Sequence, residues 1–281
     1  MLAHPAVASQ IDVFIPTYNS IAHLLDCIQS ARRALPVRRI VLIDHNSVDG
    51  TQSVGRGNGC EVVLENNGLG YARQLAIEMA ETETFAMIES DLVYSEFGWY
   101  NEASKLMAGD VGAVVAYVPR RMSDKRGKYA DFWSRHTPLK RRRHGFSAGS
   151  TLFLKRALEG MRIPQYLNAY EDIYIMRRMR ERGWTYKTIE VKGTHHSDFE
   201  PSRKARWYGA NARRLYSIDR GDMTLLRRQL TLPMLGFVAA CGTRDAGVLS
   251  WAVSFSGNFL LGWSNPEKYS SLKRYGTVSL R

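Results

Sequence analysis

The chain has 281 residues, with 39 Lys and Arg against 27 Asp and Glu, a formal net charge of +12. At 44% hydrophobic and 23% charged, its composition is that of a globular protein and excludes a disordered, collagen-like or multi-span membrane chain. Three scattered cysteines, Cys27, Cys60 and Cys241, give neither zinc spacing nor a disulfide framework and suit a reducing compartment; the first ten residues lack the basic start and long apolar run of a secretory signal.

Two periods alternate through the first half. Ile11 to Ile15 is a short apolar run, expected to end at Pro16, which has no N–H for a ladder. Asn19 and Ser20 are candidate helix caps, and Ile21, Leu24, Leu25, Ile28 and Ala31 then recur on one helical face. Ile40–Ile43 and Cys60–Leu64 read as strands, Tyr71–Ala80 as a helix with Ala72, Leu75, Ala76 and Met79 inward, and Phe85–Ile88 and Ala113–Tyr117 as two further strands. Uniformly apolar strands alternating with helices predict an α/β fold, a mostly parallel, Rossmann-like sheet covered by helices on both faces.

Ligands of such sheets bind beyond the carboxyl ends of the strands. Four polar clusters fall there: Pro16-Thr17-Tyr18-Asn19, then Asp44-His45-Asn46-Ser47-Val48-Asp49-Gly50-Thr51, then Asn66-Asn67-Gly68 with Ala72-Arg73, and finally Glu89-Ser90-Asp91. Polar turns follow strands in any protein, and Asp49-Gly50 reads simply as one. Two carboxylates one residue apart, Glu89 and Asp91, point near one spot where the chain turns. They offer the oxygen ligands that Mg²⁺ or Mn²⁺ shares with phosphates. Further on, Glu171-Asp172 opens an amphipathic segment with Ile173, Ile175, Met176 and Met179 as its apolar positions and Gly183 as its stop. Carboxylates at a helix start are stabilised by the helix dipole. His195-His196 follows a strand-like run, Lys187 to Val191; neighbours on a strand point to opposite faces, so at most one can reach a site.

This ordered set, with Glu171-Asp172 as its fifth element, resembles a family 2 glycosyltransferase with the GT-A fold over roughly residues 10 to 195. The resemblance implies an inverting, metal-dependent transfer of a sugar from a nucleotide-diphospho-sugar, with Mn²⁺ or Mg²⁺ as cofactor. By it, Pro16, Thr17, Tyr18, Asn19, Asp44, His45, Asn67 and Gly68 line the nucleotide, with Arg73, Glu89 and Ser90 beside it. Asp91 and Glu89 hold the metal, His195 and His196 are further metal candidates, and Asp172, next to Glu171, is the general base. His45 stands where the family has a second Asp that often reads the base, and Glu89 stands where its metal motif has a first Asp.

From Val118 to Gly145 there are ten Lys and Arg against two Asp, with Tyr129, Phe132 and Trp133 among them. A basic, aromatic-rich stretch points to an anionic partner. Leu230–Thr243 carries no charge, and after Arg244-Asp245 neither does Ala246–Trp263. These segments, preceded by Arg203, Lys204, Arg206, Arg213 and Arg214, are expected to be a helical pair at a membrane surface, with a soluble hairpin and true spans as alternatives. The expected domains are 1–200, the GT-A catalytic part, and 201–281, a helical, membrane-interfacial extension. The expected acceptor is a lipid or lipid-linked polyprenyl phosphate, and the expected location is the cytoplasmic face of the cell membrane. The alternatives are a soluble glycosyltransferase acting on polysaccharide or protein, and a basic nucleic-acid-binding protein.

Overall fold

The computed structural model describes residues 10–118, 124–136, 146–196, 201–219 and 222–270. The chain forms two compact units. The first comprises 1–120, 144–166 and 171–197; the second comprises 121–143, 167–170 and 198–281.

Unit 1 runs β1 (Ile11–Thr17), α1 (Ile21–Ala34), β2 (Val37–Asp44), α2 (Thr51–Gly57), β3 (Glu61–Leu64), α3 (Leu69–Met79), β4 (Thr84–Ile88), β5 (Leu92–Tyr94), α4 (Trp99–Leu106) and β6 (Val111–Tyr117). After α5 (Lys125–His136), which belongs to unit 2, it continues through β7 (Ser150–Leu154), α6 (Lys155–Leu158), α7 (Glu171–Glu181), β8 (Thr185–Glu190) and β9 (Gly193–His195). Seven strands form one sheet in the order β3-β2-β1-β4-β7-β6-β8. β7 runs antiparallel to both neighbours, and the other pairings are parallel. β5 and β9 form a separate antiparallel pair.

Burial on both faces explains the apolar strands: Ile11, Val13, Phe14, Ile15, Ile40, Val41 and Leu42 are fully enclosed. The structure corrects three details of the pattern. β1 continues through Pro16 to Thr17, because its pairing with β4 stops at Phe14 opposite Met87, where a missing N–H costs no ladder bond on that side. On α1, Ile21 and Leu25 are exposed, and the buried stripe is Leu24, Cys27, Ile28 and Ala31, the i, i+3, i+4, i+7 spacing of a single face. On α7, Tyr174 takes the buried place expected of Ile173 and donates its hydroxyl to the Arg162 carbonyl at 2.9 Å.

Register places the chemistry. Thr17 lies opposite Asp44 and Asp44 opposite Leu64, so β1, β2 and β3 end on one line. The loops that leave this edge carry the polar clusters.

Unit 2 is helical: α5, α8 (Pro201–Ile218), α9 (Thr224–Thr243), α10 (Ala246–Ser264) and α11 (Pro266–Tyr269). Its helices approach through small residues. A Cβ at Gly262 would overlap the Arg206 carbonyl, so only glycine lets α8 and α10 touch backbone to backbone. Pro233 sits inside α9 and cannot donate to the Gln229 carbonyl; Ser256 of α10 donates to it instead at 2.9 Å, which keeps the helix paired across its break. Tyr129, Phe132 and Trp133 pack against Ala239, Ala240 and Val248. The aromatics of the basic stretch are thus partly buried and pack on the small core of unit 2. Arg120, Arg121 and Lys140 to Arg143 lie outside the described residues. Among the described residues no helix is long and apolar enough to cross a membrane.

Candidate active site

The loop after β2 is organised around Asp44, which is fully buried. Its Oδ1 accepts from the Ser47 amide and Gln52 Nε2, both at 2.8 Å; its Oδ2 accepts from Thr17 Oγ1 at 2.8 Å and Ser47 Oγ at 2.6 Å. A carboxylate with four donors has no lone pair to spare for a ligand, so Asp44 shapes the loop from within. Ser47 in turn accepts from the Asn19 amide at 2.8 Å, and Asn19 Oδ1 from the Val48 amide at 3.0 Å, tying the first loop to the second. Asp49 does more than turn the chain: it accepts from Thr51 at the start of α2 and from the Ile21 amide at the start of α1. Ser20, the residue before α1, makes no cap through its side chain. Its hydroxyl lies 2.9 Å from that of Ser90, joining the loop after β1 to the one after β4.

His45 is buried, its ring in a T-shaped contact with that of Tyr18. Its Nδ1 pairs with Glu65 Oε1. The other oxygen of Glu65 accepts the Asn67 and Gly68 amides at 2.6 and 2.7 Å. Glu65 is a residue the sequence reading missed. It follows β3 directly and precedes the Asn-Asn-Gly turn, a position where a carboxylate can collect turn amides.

At the far end of the same edge, His195 Nε2 lies 2.6 Å from Glu89 Oε2 and 3.2 Å from Asp91 Oδ1. Glu89, Asp91 and His195 offer three ligand atoms within 4.8 Å of one another, a set that could hold a metal ion. The β5–β9 ladder builds it: Leu92 pairs with His195, and the His196 amide donates to the Asp91 carbonyl at 2.9 Å. Two carboxylates with one imidazole fit Mn²⁺ better than Mg²⁺, which prefers oxygen alone. His196 does not join the set. Just past the end of β9, it stacks on His23 with centroids 4.0 Å apart. Gly149 was also missed; a Cβ there would occupy the space of the Glu89 side chain.

Glu171 and Asp172 open α7. Burial, reinforced by the Asp172 charge, pushes Glu171 up to about 8. Burial also pushes Asp172 up to about 6, against the hydrogen bond it accepts from the Ile173 amide and with the help of the Glu89 charge. Each carboxyl lies near enough to Glu89 to feel its charge. Arg73 is 1% exposed, with its Nε 3.8 Å from Glu171 Oε1. Enclosed in this way it faces Glu171, where the resemblance puts it beside the nucleotide.

Residues 12–158 match the family described as glycosyl transferase family 2. The chain belongs to that family. This glycosyltransferase uses a nucleotide-sugar donor and has the GT-A fold. No curated protein matches its sequence significantly. Among solved structures it is similar to a mannosyltransferase from Pyrobaculum calidifontis in complex with GDP-mannose and Mn²⁺, at 19% identity and a TM-score of 0.57, covering 94% of this chain and 84% of that one. It is also similar to glucosyl-3-phosphoglycerate synthase from Mycobacterium tuberculosis in complex with Mn²⁺, UDP and glucosyl-3-phosphoglycerate, at 17% identity and a TM-score of 0.52, covering 73% of this chain and 78% of that one. At such identities the likeness carries the fold.

Proposed function

We propose that this glycosyltransferase moves a sugar from a nucleotide-diphospho-sugar to a hydroxyl of a lipid-linked acceptor, with inversion at the anomeric carbon. The observation that carries the chemical half is Glu89, Asp91 and His195 converging on one spot, with Asp172 near enough to feel the Glu89 charge. Asp91, Glu89 and His195 would hold Mn²⁺ or Mg²⁺, which supplies positive charge against the departing diphosphate. Two similar solved enzymes carry Mn²⁺ with GDP-mannose or UDP, in keeping with that assignment. The nucleotide lies over Pro16, Thr17, Tyr18 and Asn19, with His45, Asn67 and Gly68 on its base side and Ser90 toward the diphosphate.

Asp172 takes the proton of the acceptor hydroxyl as its oxygen attacks the anomeric carbon from the face opposite the diphosphate. A base that titrates at about 6 is ionised at neutral pH yet still basic enough to accept that proton. Glu171, titrating at about 8, is largely neutral there and spares Asp172 a second adjacent charge. Arg73, behind Glu171, contributes positive potential to the pair. The lipid half of the proposal rests on the basic, helical segments 201–219 and 222–270, which would act at the cytoplasmic face of the cell membrane.

The direct test is donor hydrolysis with a panel of UDP- and GDP-sugars. Turnover that requires Mn²⁺ or Mg²⁺ and is lost in Asp91→Ala supports the reading; turnover indifferent to chelator and to that change refutes it.

A further inference from the structure

The net charge of the chain is divided unevenly. Unit 2 carries 22 Lys and Arg against 8 Asp and Glu, a net +14, and unit 1 carries 17 against 19, a net −2. The whole positive surplus therefore belongs to the helical unit. Within that unit α9 is the helix with the most exposed apolar surface. Leu230 is 58% exposed, Met234 64%, Phe237 57% and Val238 44%, and Cys241 is exposed as well.

Leu230, Met234, Phe237 and Cys241 follow one another at spacings of four, three and four residues, so they form one narrow stripe along about 16 Å of helix. The opposite face is spent on packing: Gly236, Ala239 and Ala240 are buried. Exposed arginines bracket the stripe, Arg227 and Arg228 before it and Arg244 just past the helix end. An exposed row of large apolar side chains marks a surface that something covers.

We infer that the Leu230–Cys241 face of α9 is where this glycosyltransferase seats itself in an anionic lipid bilayer, the helix lying in the plane of the headgroups. The inference deepens the proposed action at a membrane and rests on it. Charge selects the occupant. A second copy of this chain would bring two surfaces of a strongly basic unit together, whereas an anionic leaflet meets the same arginines with opposite charge. Nucleic acid would answer the arginines but not the stripe, since Leu, Met and Phe side chains offer nothing to a phosphate. Apolar side chains between flanking Arg are the pattern of a helix that lies in an interface, and the stripe is too short to cross one.

The experiment is flotation of the full chain with phosphatidylcholine vesicles and with phosphatidylcholine/phosphatidylglycerol vesicles, at low and high salt. The expected result is strong flotation on the mixed vesicles alone, reduced at least about tenfold in the triple variant Leu230→Glu/Met234→Glu/Phe237→Glu. The companion variant Arg227→Gln/Arg228→Gln/Arg244→Gln should lose most of the response to phosphatidylglycerol and to salt. Both leave melting temperature and metal-dependent donor hydrolysis unchanged, because the altered side chains are exposed and outside the site. Phe97→Glu, an exposed apolar position of unit 1, should float as the parent does. Should the triple variant float like the parent, the face is wrong while membrane binding survives. Should the parent float on neither vesicle, both fail. A parent dimer that the triple variant converts to monomer, or salt-sensitive capture of a DNA duplex without flotation, would replace the bilayer with another occupant and overturn the inference.

Discussion

Unit 1 and unit 2 solve opposite problems. Unit 1 is nearly neutral, and at one sheet edge several of its titratable groups are held in place by other residues: Asp44 by four donors, Glu65 by His45 and two amides, His195 by two carboxylates. Unit 2 is strongly basic, and its interior is built from Gly, Ala, Val and aromatic rings. The difference teaches that chemistry needs charges fixed in place before substrate arrives, whereas attraction to a broad anionic surface needs only charges left in water. Each unit should therefore fail in its own assay.

The largest separation is expected from Asp172→Asn, which removes the proton acceptor and keeps the shape. Transfer to acceptor should fall by ~10²–10⁴ in kcat with vesicle flotation unchanged; a matching loss of flotation would dissolve the division of labour. Next comes pH. Because Asp172 titrates at about 6, log kcat/KM should fall by about one per unit below that value, and the limb should vanish in Asp172→Asn.

Glu171 gives a stability counterpart. Its carboxyl is raised by burial to about 8 in the folded protein. Its stabilising contribution is therefore complete below the unfolded value, near 4.3, and is lost as pH rises through about 8. Melting temperature should decline over that window, and Glu171→Gln should flatten the decline.

Smaller effects probe unit 2 alone. Gly262→Ala would force α8 from α10 and should cost about 1–3 kcal/mol in denaturant unfolding. Ser256→Ala strands the Gln229 carbonyl beside Pro233 and should cost about 1 kcal/mol, with donor hydrolysis intact in both.

The sheet was legible in the sequence because two-sided burial leaves uninterrupted apolar runs such as Ile40–Ile43. The edge that carries the loops followed from the parallel connections. Less legible was which polar residue faces the ligand and which faces the protein. Asp44 and Arg73 belong to the motifs, yet one is enclosed by four hydrogen bonds and the other is shut in against Glu171. Spacing along a chain cannot distinguish a side chain that shapes a loop from one that reaches out of it. Glu65 and Gly149 went unseen for the converse reason, since each matters only through a partner about 20 or 60 residues away in sequence, His45 and Glu89. The packing of the α5 rings was not legible because Lys and Arg stand between them and the apolar face they share is interrupted.

The saturated carboxylate of Asp44 has a consequence for how the donor is captured. A loop whose hub already spends every lone pair on its own chain has little conformational freedom to surrender when a nucleotide docks. Recognition there should resemble a key entering a cut lock, with association limited by encounter and no ordering step after it. Any slow, ordering phase in turnover must then arise elsewhere along the polypeptide.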